Sequence, residues 1–284
     1  MAWRWIAAAL AVAAIVVGLG LRGVPDGRLH VYFLDVGEGD AILIFAPDGR
    51  QVLVDGGPGP TALLNELGDV LPFWDRSLDL VVLTHPDADH LNGLAPLLER
   101  YRVDRVLEPP GTAAAPEAAA WEQALREKGV PRGEAARGMR LLVGGLTLTV
   151  LHPAEDTAAD AAAPNNDSSI VLRLEYGHTS LLLTGDAEMG AEAAMLAAGL
   201  PLRADVLKVS HHGSDGSTSA PLLAAVSPSV AIIQVGAGNR YGLPAPALLE
   251  RLAGIRTYRT DQNGRIEVIS DGTRLWVKPE RPSP

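Results

Sequence analysis

The stretch Thr84-His85-Pro86-Asp87-Ala88-Asp89-His90-Leu91 is the most informative part of this chain. It combines two imidazoles and two carboxylates, a mixed nitrogen and oxygen ligand set that suits zinc, manganese or iron. An apolar run, Leu78 to Leu83, precedes it and predicts a buried strand, and Leu91 to Arg100 predicts a helix after it. The polar side chains therefore lie at the carboxyl end of a strand, where α/β folds place their chemistry. The alternative is that one of these side chains only caps the following helix. Capping requires a single polar residue, however, and this stretch contains four.

The composition of the 284 residues excludes several classes of protein. Apolar residues make up 47%, as is typical of a globular chain and not of a disordered one. Cysteine is absent, so any transition metal must bind through His, Asp, Glu, Asn or water. The net charge of −10 argues against non-specific attraction to nucleic acid or anionic lipid. A nucleic-acid substrate remains compatible, because two bound divalent ions would add about four positive charges at the site.

The first 22 residues differ in composition from the rest of the chain. Residues 6–21 form an unbroken run of apolar residues and glycine between Arg4 and Arg22. At ~1.5 Å per residue, such a run nearly spans a hydrocarbon core of ~30 Å. We predict a membrane anchor over 1–22, and a cleaved signal peptide is the alternative. A linker over 23–28 then leads into one catalytic domain over 29–279.

The remaining sequence predicts strands that alternate with helices, in an order that two face-to-face sheets with helices outside would satisfy. The fold class is therefore α/β. The predicted strands lie near 29–36, 41–45, 51–54, 78–83, 103–107, 146–151, 169–174, 180–184, 205–209, 230–235, 255–259, 265–270 and 273–277. The predicted helices lie near 61–67, 91–100, 118–128, 187–198, 219–226 and 246–252.

Three further polar clusters each lie beside a predicted strand. Asp186 follows one strand and is placed either to cap a helix or to bridge two metals. His211 and His212 follow another strand, and on an extended segment only one of the two side chains enters a common site. The turn 165–169 contains Asn165 and Asn166. Together with the first stretch, these clusters favour a two-metal hydrolytic site.

Lys208, three residues before the histidine pair, has two interpretations. It either faces a substrate phosphate or is a lysine that is solvated or lies at the edge of the core.

Seven segments between residues 33 and 244 carry a family resemblance. The chain resembles the metallo-β-lactamase superfamily, and in particular the metallo-β-lactamase-like domain of ComEC-type competence proteins and its stand-alone relatives. The matching segments, in family order, are Phe33-Leu34-Asp35-Val36-Gly37-Glu38-Gly39-Asp40-Ala41, Leu53-Val54-Asp55-Gly56-Gly57, residues 83–93, Asn165-Asn166-Asp167-Ser168, Leu183-Thr184-Gly185-Asp186, residues 207–214 and Asn239-Arg240-Tyr241-Gly242-Leu243-Pro244.

The resemblance implies an αββα sandwich of two mixed sheets with two divalent metal ions, zinc or manganese, in a groove at one edge. His85 and Asp87 would hold the first ion. Asp89 and His90 would hold the second with help from His211 or His212. Asp186 would bridge the two ions. Two asparagines, at 165 and 166, stand where many members have another histidine ligand.

The same resemblance implies a phosphodiesterase or nuclease that acts on DNA outside the cytoplasmic membrane. The catalytic residues would be Asp89 or Asp186, which orient the attacking hydroxide, and His212 or His211, which assists the leaving group. The residues expected to contact the substrate or support the ligands are Asp40, Asp55, Asn165, Asn166, Lys208, Asn239 and Tyr241.

Two departures from the family pattern leave the substrate open. Glu38 stands where the family usually has Gln, and Leu243 stands where it usually has His. One alternative keeps the metal site and changes the substrate to an envelope phosphodiester, a lactone or a β-lactam. The other is an anchored binding module without catalysis, against which the intact metal motif argues.

Overall fold

The computed structural model describes residues 3–6, 25–154 and 166–283. Most of the predicted anchor and linker, residues 7–24, lies outside this part of the chain, as does Asn165. The membrane segment, a cleaved signal peptide and a location outside the cytoplasmic membrane therefore stay predictions. Among the described residues, no helix combines the length and apolar character needed to cross a membrane.

Two facing β-sheets form the centre of the described part of the chain. The first sheet has the order β17-β16-β1-β2-β3-β5-β7-β8, and its β3, β5, β7 and β8 run parallel. Its strands are β1 Leu29–Phe33, β2 Ile42–Phe45, β3 Gln51–Val54, β5 Leu80–Val82, β7 Val106–Glu108, β8 Arg132–Glu134, β16 Ile266–Ser270 and β17 Leu275–Pro279. A separate short pair consists of β4 Ser77–Leu78 and β6 Arg102–Val103.

The second sheet has the order β15-β14-β13-β12-β11-β10-β9. Its strands β12 to β15 run parallel, and its remaining pairs are antiparallel. The strands are β9 Arg140–Val143, β10 Leu146–His152, β11 Val171–Tyr176, β12 Thr179–Leu183, β13 Val206–Lys208, β14 Val230–Ile233 and β15 Arg256–Arg259.

Helices cover the outer face of each sheet, because the strands are apolar on both faces and must be buried on both. The helices are α1 Pro60–Val70, α2 Ala88–Leu91, α3 Leu94–Leu97, α4 Ala119–Lys128, α5 Met189–Ala197, α6 Ala220–Val226, α7 Pro246–Arg251 and α8 Thr260–Asn263. Leu63 and Trp121 pack on the outside of the first sheet, and Met195 and Leu248 on the outside of the second. A third apolar layer lies between the sheets. The predicted αββα sandwich is confirmed.

One predicted element differs in a way that affects the site. The predicted helix over 91–100 is two short helices, α2 and α3, and α2 begins earlier, at Ala88. Pro96 has no N–H to continue the helical ladder. A Cβ at Gly93 would lie 1.9 Å from the carbonyl oxygen of Gly56, so the chain approaches the loop after β3 closely there. Asp89 and His90 thus lie on a helix that begins three residues before the predicted one.

The sheets meet at the carboxyl ends of their parallel strands. Ile170 N donates to the carbonyl of Thr84 at 2.9 Å, which links the end of β5 to the start of β11. Gln234, just after β14, donates its side-chain amide to the carbonyls of Leu34 and Ala41 at 3.1 and 2.9 Å. The polar loops of both sheets are therefore held side by side.

Candidate metal centre

Asp89, His90, Asp186 and His212 offer ligand atoms that all lie within 4.8 Å of one another. The Oδ2 atom of Asp186 is 3.2 Å from Nε2 of His90 and 3.2 Å from Nε2 of His212. Nε2 of His212 is also 3.1 Å from Oδ2 of Asp89. Two imidazoles and two carboxylates therefore converge on one point, as a tetrahedral or five-coordinate ion requires.

The two adjacent histidines reach different places because the backbone turns sharply between them. His211 and His212 have φ values of 49° and 51° and lie on a 3-10 turn, so the expectation of an extended segment is wrong. His212 is buried in the cluster, whereas Nε2 of His211 stays 4.0 Å from Oδ2 of Asp186, at the solvent edge.

His85 and Asp87 lie next to this four-residue cluster. Nε2 of His85 is 3.7 Å from Oδ2 of Asp87, and the His85 and His90 ring centroids are 4.1 Å apart. Asp87 occupies the N-cap position of α2 but makes no capping hydrogen bond with its side chain. Its carboxylate, 52% exposed, is therefore free to face the cluster from the solvent side.

Asp55 orients two of the histidines from behind. Its Oδ2 atom accepts hydrogen bonds from His90 Nδ1 at 2.9 Å and from Thr84 Oγ1 at 2.7 Å. The Thr84 hydroxyl, having donated its proton to Asp55, accepts one from His85 Nδ1 at 3.1 Å. In the neutral form, which is the form that binds a metal, both rings therefore carry their proton on Nδ1 and direct an unprotonated Nε2 to the cluster. Carboxylate support of this kind fixes the tautomer of metal-binding histidines.

His212 is oriented in the same way by a backbone group. Its Nδ1 atom donates to the carbonyl oxygen of Gln234 at 3.0 Å, which leaves Nε2 for the cluster. All three buried histidines thus direct the same nitrogen inward.

Lys208 lies behind the cluster and not at its open side. Its ammonium group is 1% exposed, donates to the carbonyl of Gly185 at 2.8 Å and forms a close ion pair with Asp40. Its Nζ atom is also 3.5 Å from Oδ1 of Asp186. The interpretation that Lys208 faces a substrate phosphate is therefore wrong, since every donor direction points to a buried oxygen. Lys208 and Asp40 instead support the position of Asp186.

The pKa values show that the cluster attracts positive charge. Burial opposes protonation of His90 and His212, yet the neighbouring carboxylates, Asp186 foremost, together outweigh it and raise the pKa of both imidazoles well above the ordinary value. Burial opposes ionisation of Asp89 as well, but the hydrogen bond from His212 and the charge on His90 lower its pKa to about 2. Burial and the nearby charge of His90 lower the pKa of His85 to about 3, so this imidazole stays neutral.

These groups fit divalent metal ions by two observations. Among the described residues, the buried Nε2 atom of His85 has no hydrogen-bond partner, which is costly unless another species binds it. The carboxylates of the cluster carry more negative charge than the single ammonium group of Lys208 balances. The raised pKa values of the imidazoles therefore mean that protons supply positive charge at the position where a metal cation would lie. A neutral imidazole and an ionised carboxylate are the forms that bind a metal.

His211 forms a second, more exposed group with two residues. Its Nδ1 atom is 3.1 Å from Oε1 of Glu188, which also accepts a hydrogen bond from Nδ2 of Asn166 at 3.1 Å. Asn166 is therefore near the site, as predicted, but contacts Glu188 and His211 and not the buried cluster.

Asn239 and Tyr241 lie on the loop after β14. The Asn239 side chain bonds only to backbone groups of its own loop in the described structure, whereas Tyr241 is exposed beside Asp89.

Sequence reasoning missed three residues that support the site: Thr84, Glu188 and Gln234. Gln234 carried a detectable signal, since it is the one polar residue in the run Val230 to Val235. Thr84 and Glu188 carried none beyond their closeness in sequence to His85 and Asp186.

The profile of the metallo-beta-lactamase superfamily matches residues 34–236, which contain every residue of the cluster. The chain belongs to this superfamily. It is therefore a member of a family of metal-dependent hydrolases, and the cluster is its candidate metal-binding site.

Two curated relatives support this membership, and one solved structure shares the fold. The chain is 38% identical to ComE operon protein 3 of Bacillus subtilis (strain 168) over 257 residues, covering 84% of this chain and 32% of the relative. It is 30% identical to competence protein ComA of Neisseria gonorrhoeae over 249 residues, covering 87% and 33%. The chain thus spans about a third of the length of these relatives. The metallo-beta-lactamase fold protein YhfI of Bacillus subtilis superposes with a TM-score of 0.55 at 14% identity, covering 88% of this chain and all of YhfI.

Proposed function

We propose that the chain is a two-metal phosphodiesterase that cleaves DNA. The observation that carries the proposal is the convergence of His90 and His212 Nε2 on the buried Asp186 carboxylate beside His85, in a chain similar to ComE operon protein 3 and to competence protein ComA. The residues of the site fit divalent ions, and a phosphodiester is an anion that such ions bind and polarise.

The proposed ligands divide into two sets around Asp186. Asp89, His90 and His212 would hold one zinc or manganese ion. His85 and Asp87 would hold the other. Asp186 would contact both, because its Oδ2 atom is 3.2 Å from His90 Nε2 and its charge also acts on the His85 imidazole.

Bound divalent ions would supply charge for the phosphate oxygens and acidify a water molecule. The residues of the chain position and protect this chemistry. Asp89, whose side chain is 35% exposed, lies where the buried cluster meets solvent and orients the attacking hydroxide. Lys208 and Asp40 hold Asp186 from the buried side and exclude water there.

His211 is better placed than His212 to give a proton to the leaving group. Both nitrogens of His212 are engaged, by Gln234 on one side and by the cluster on the other. His211 has Nδ1 against Glu188 and a side chain that is 29% exposed, so its Nε2 atom can approach a substrate oxygen. A histidine and carboxylate pair of this kind is suited to general acid catalysis.

The test is a cleavage assay with the full chain, supplied with zinc or with manganese, on single- and double-stranded DNA. Asp186→Asn is the matched control, because it keeps the side-chain volume and removes the shared carboxylate. Metal-dependent cleavage that Asp186→Asn abolishes is the expected result. DNA left intact beside hydrolysis of chromogenic esters or lactams would assign the site to another substrate, and inactivity on the whole panel would favour a binding module.

Location is part of the same proposal. Residues 1–22 would anchor the chain in the cytoplasmic membrane, with the catalytic domain outside. Membrane fractionation followed by protease treatment of intact cells tests it. Recovery in the soluble cytoplasmic fraction would contradict it.

A further inference from the structure

A pocket of about 340 Å³ lies directly beside the cluster, with Asp89 in its wall. This volume is near the lower end of the range of small-molecule sites, ~300 to 1,000 Å³. Three segments supply its wall: Glu38 comes from the loop after β1, Asp89 and Asn92 come from helix α2 and its C-terminal end, and Arg240 and Tyr241 come from the loop after β14. The pocket therefore suits a unit about the size of one nucleotide and opens beside the proposed catalytic residues.

The loop that carries Arg240 and Tyr241 is fixed by its own polar contacts. Oδ1 of Asn239 accepts from the backbone N–H groups of Tyr241 and Leu243 at 3.1 and 3.0 Å. Its Nδ2 atom donates to the carbonyls of Gly236 and Leu243 at 3.1 and 2.8 Å. Asn239 thus acts inside the loop and makes a compact turn of it.

The same loop is tied to the opposite wall of the pocket. Gly236 N donates to Oε2 of Glu38 at 2.8 Å, and a Cβ on Gly236 would lie only 2.7 Å from Glu38 N. Close approach of this kind permits only glycine. The rim of the pocket is therefore preformed, and its side chains need little ordering when a ligand enters.

Arg240 and Tyr241 present an unusual pair at this rim. The Tyr241 side chain is 60% exposed, and the Arg240 guanidinium carbon is 5.0 Å from its ring centroid. Nη2 of Arg240 also donates to the Tyr241 hydroxyl at 2.9 Å, which holds the ring beside the cation. Aromatic faces that stack bases, together with cations that follow the backbone, are the groups by which proteins hold single-stranded nucleic acid.

We propose that this pocket binds the nucleotide next to the scissile phosphodiester of single-stranded DNA. The base stacks on Tyr241, and Arg240 contacts the adjoining phosphate. The proposal rests on the proposed function, because it names the form of DNA that the site takes. A base inside a duplex is covered on both faces by its neighbours and cannot stack on the ring, so the pocket selects for single strands.

Binding provides the first test, with a readout that does not require turnover. A fluorescent oligothymidylate with phosphorothioate linkages, which resist cleavage, is titrated against the full metal-loaded chain, and its anisotropy is recorded. Tyr241→Ala should weaken binding about 5- to 150-fold, the value of one base stacked on an aromatic ring. Tyr241→Phe keeps the ring and is the matched control, and it should bind as the native chain does. Binding of a duplex of the same length should not respond to Tyr241→Ala.

Cleavage of strands with a single abasic position provides the second test. The native chain should cut poorly at the linkage beside the missing base, and Tyr241→Ala should lose this position dependence. Arg240→Gln should weaken binding and reduce its dependence on salt.

The outcomes separate the two proposals. DNA cleavage that ignores both Tyr241→Ala and the abasic position overturns the pocket assignment and leaves the nuclease intact. Binding that depends on Tyr241 without any cleavage overturns the nuclease and leaves the pocket. A chain that neither binds nor cuts the oligonucleotide refutes both.

Discussion

Replacing Asp55 with Asn should weaken metal binding without unfolding the chain. The carboxylate accepts hydrogen bonds from Thr84 N at 2.7 Å, from Thr84 Oγ1 at 2.7 Å and from His90 Nδ1 at 2.9 Å. Asn has the same shape but only one acceptor oxygen. If that oxygen keeps the backbone N–H, the amide nitrogen faces His90. His90 must then accept on Nδ1, and its proton moves to Nε2, the atom that faces the cluster.

The size of the effect follows from the contact that is lost. A hydrogen bond to a charged group contributes about 1.5 to 3 kcal/mol, or about 10- to 150-fold in a binding constant at 1.4 kcal/mol per factor of ten. Loss of a residue that supports a ligand histidine typically costs 10- to 100-fold in metal affinity or activity. We therefore expect the metal dissociation constant to rise about 10- to 100-fold.

Competition with a chromogenic chelator measures this constant for the native chain and the variant. Asp205→Asn is the matched control. Its carboxylate likewise accepts a backbone N–H and a hydroxyl, both from Ser180, at 2.8 and 3.2 Å, but contacts no histidine. The control should keep native affinity. A folded Asp55→Asn chain whose affinity stays within about twofold of the native value would refute the tautomer argument.

Three further predictions concern other parts of the site and the fold. His211→Ala should slow cleavage of DNA far more than that of a p-nitrophenyl phosphodiester, because the leaving group of the latter needs no proton. His212→Ala should slow cleavage of both substrates and lower the amount of bound metal. Equal effects of His211→Ala on the two substrates would contradict its role as the proton donor. Lys208→Met should destabilise the chain by about 3 to 5 kcal/mol in urea unfolding, because it leaves Asp40 buried without its partner, and adding Asp40→Asn should recover part of the loss; a Lys208→Met chain as stable as the native one would count against this. The hydrogen bond from His30 to Glu267 on the neighbouring strand raises the pKa of His30 above 6.5. The contribution of this pair to the free energy of unfolding is therefore complete below pH 6.5 and is lost as the pH rises through the pKa of the folded state. His30→Gln should remove that part of the pH dependence of unfolding, and an unchanged pH profile would contradict the assignment.

The fold was predictable because the apolar runs are short, clear and separated by polar loops. Runs such as Leu181 to Leu183 and Val230 to Ile233 gave strands within one or two residues of their observed ends. The short strands β8 and β9 were missed because their burial is mixed: Arg132 and Arg140 are exposed and no apolar period marks them.

The candidate site was predictable in part, because its ligands occur together on loops that follow strands. The Thr84 to Leu91 stretch and Asp186 could be singled out in this way. The choice between His211 and His212 could not, since it depends on two consecutive left-handed residues that no local pattern requires. The position of Lys208 could not be predicted either, because a lysine near the end of an apolar strand is equally compatible with solvent and with a buried ion pair.

The cluster is shared between the two sheets, and this has a thermodynamic consequence. The segments that follow strands of the first sheet supply Asp55, His85 and, on helix α2, His90, and those that follow strands of the second supply Asp186 and His212. Without the residues of the other sheet, each set would leave buried charges or imidazole nitrogens unpaired, which is costly. An ion that binds both sets adds its binding free energy to the folded state only, so it stabilises the packing of one sheet on the other. The candidate metal ligands and the inter-sheet core are therefore coupled, and we expect a substitution that loosens the core between the sheets to act on metal affinity as well as on stability.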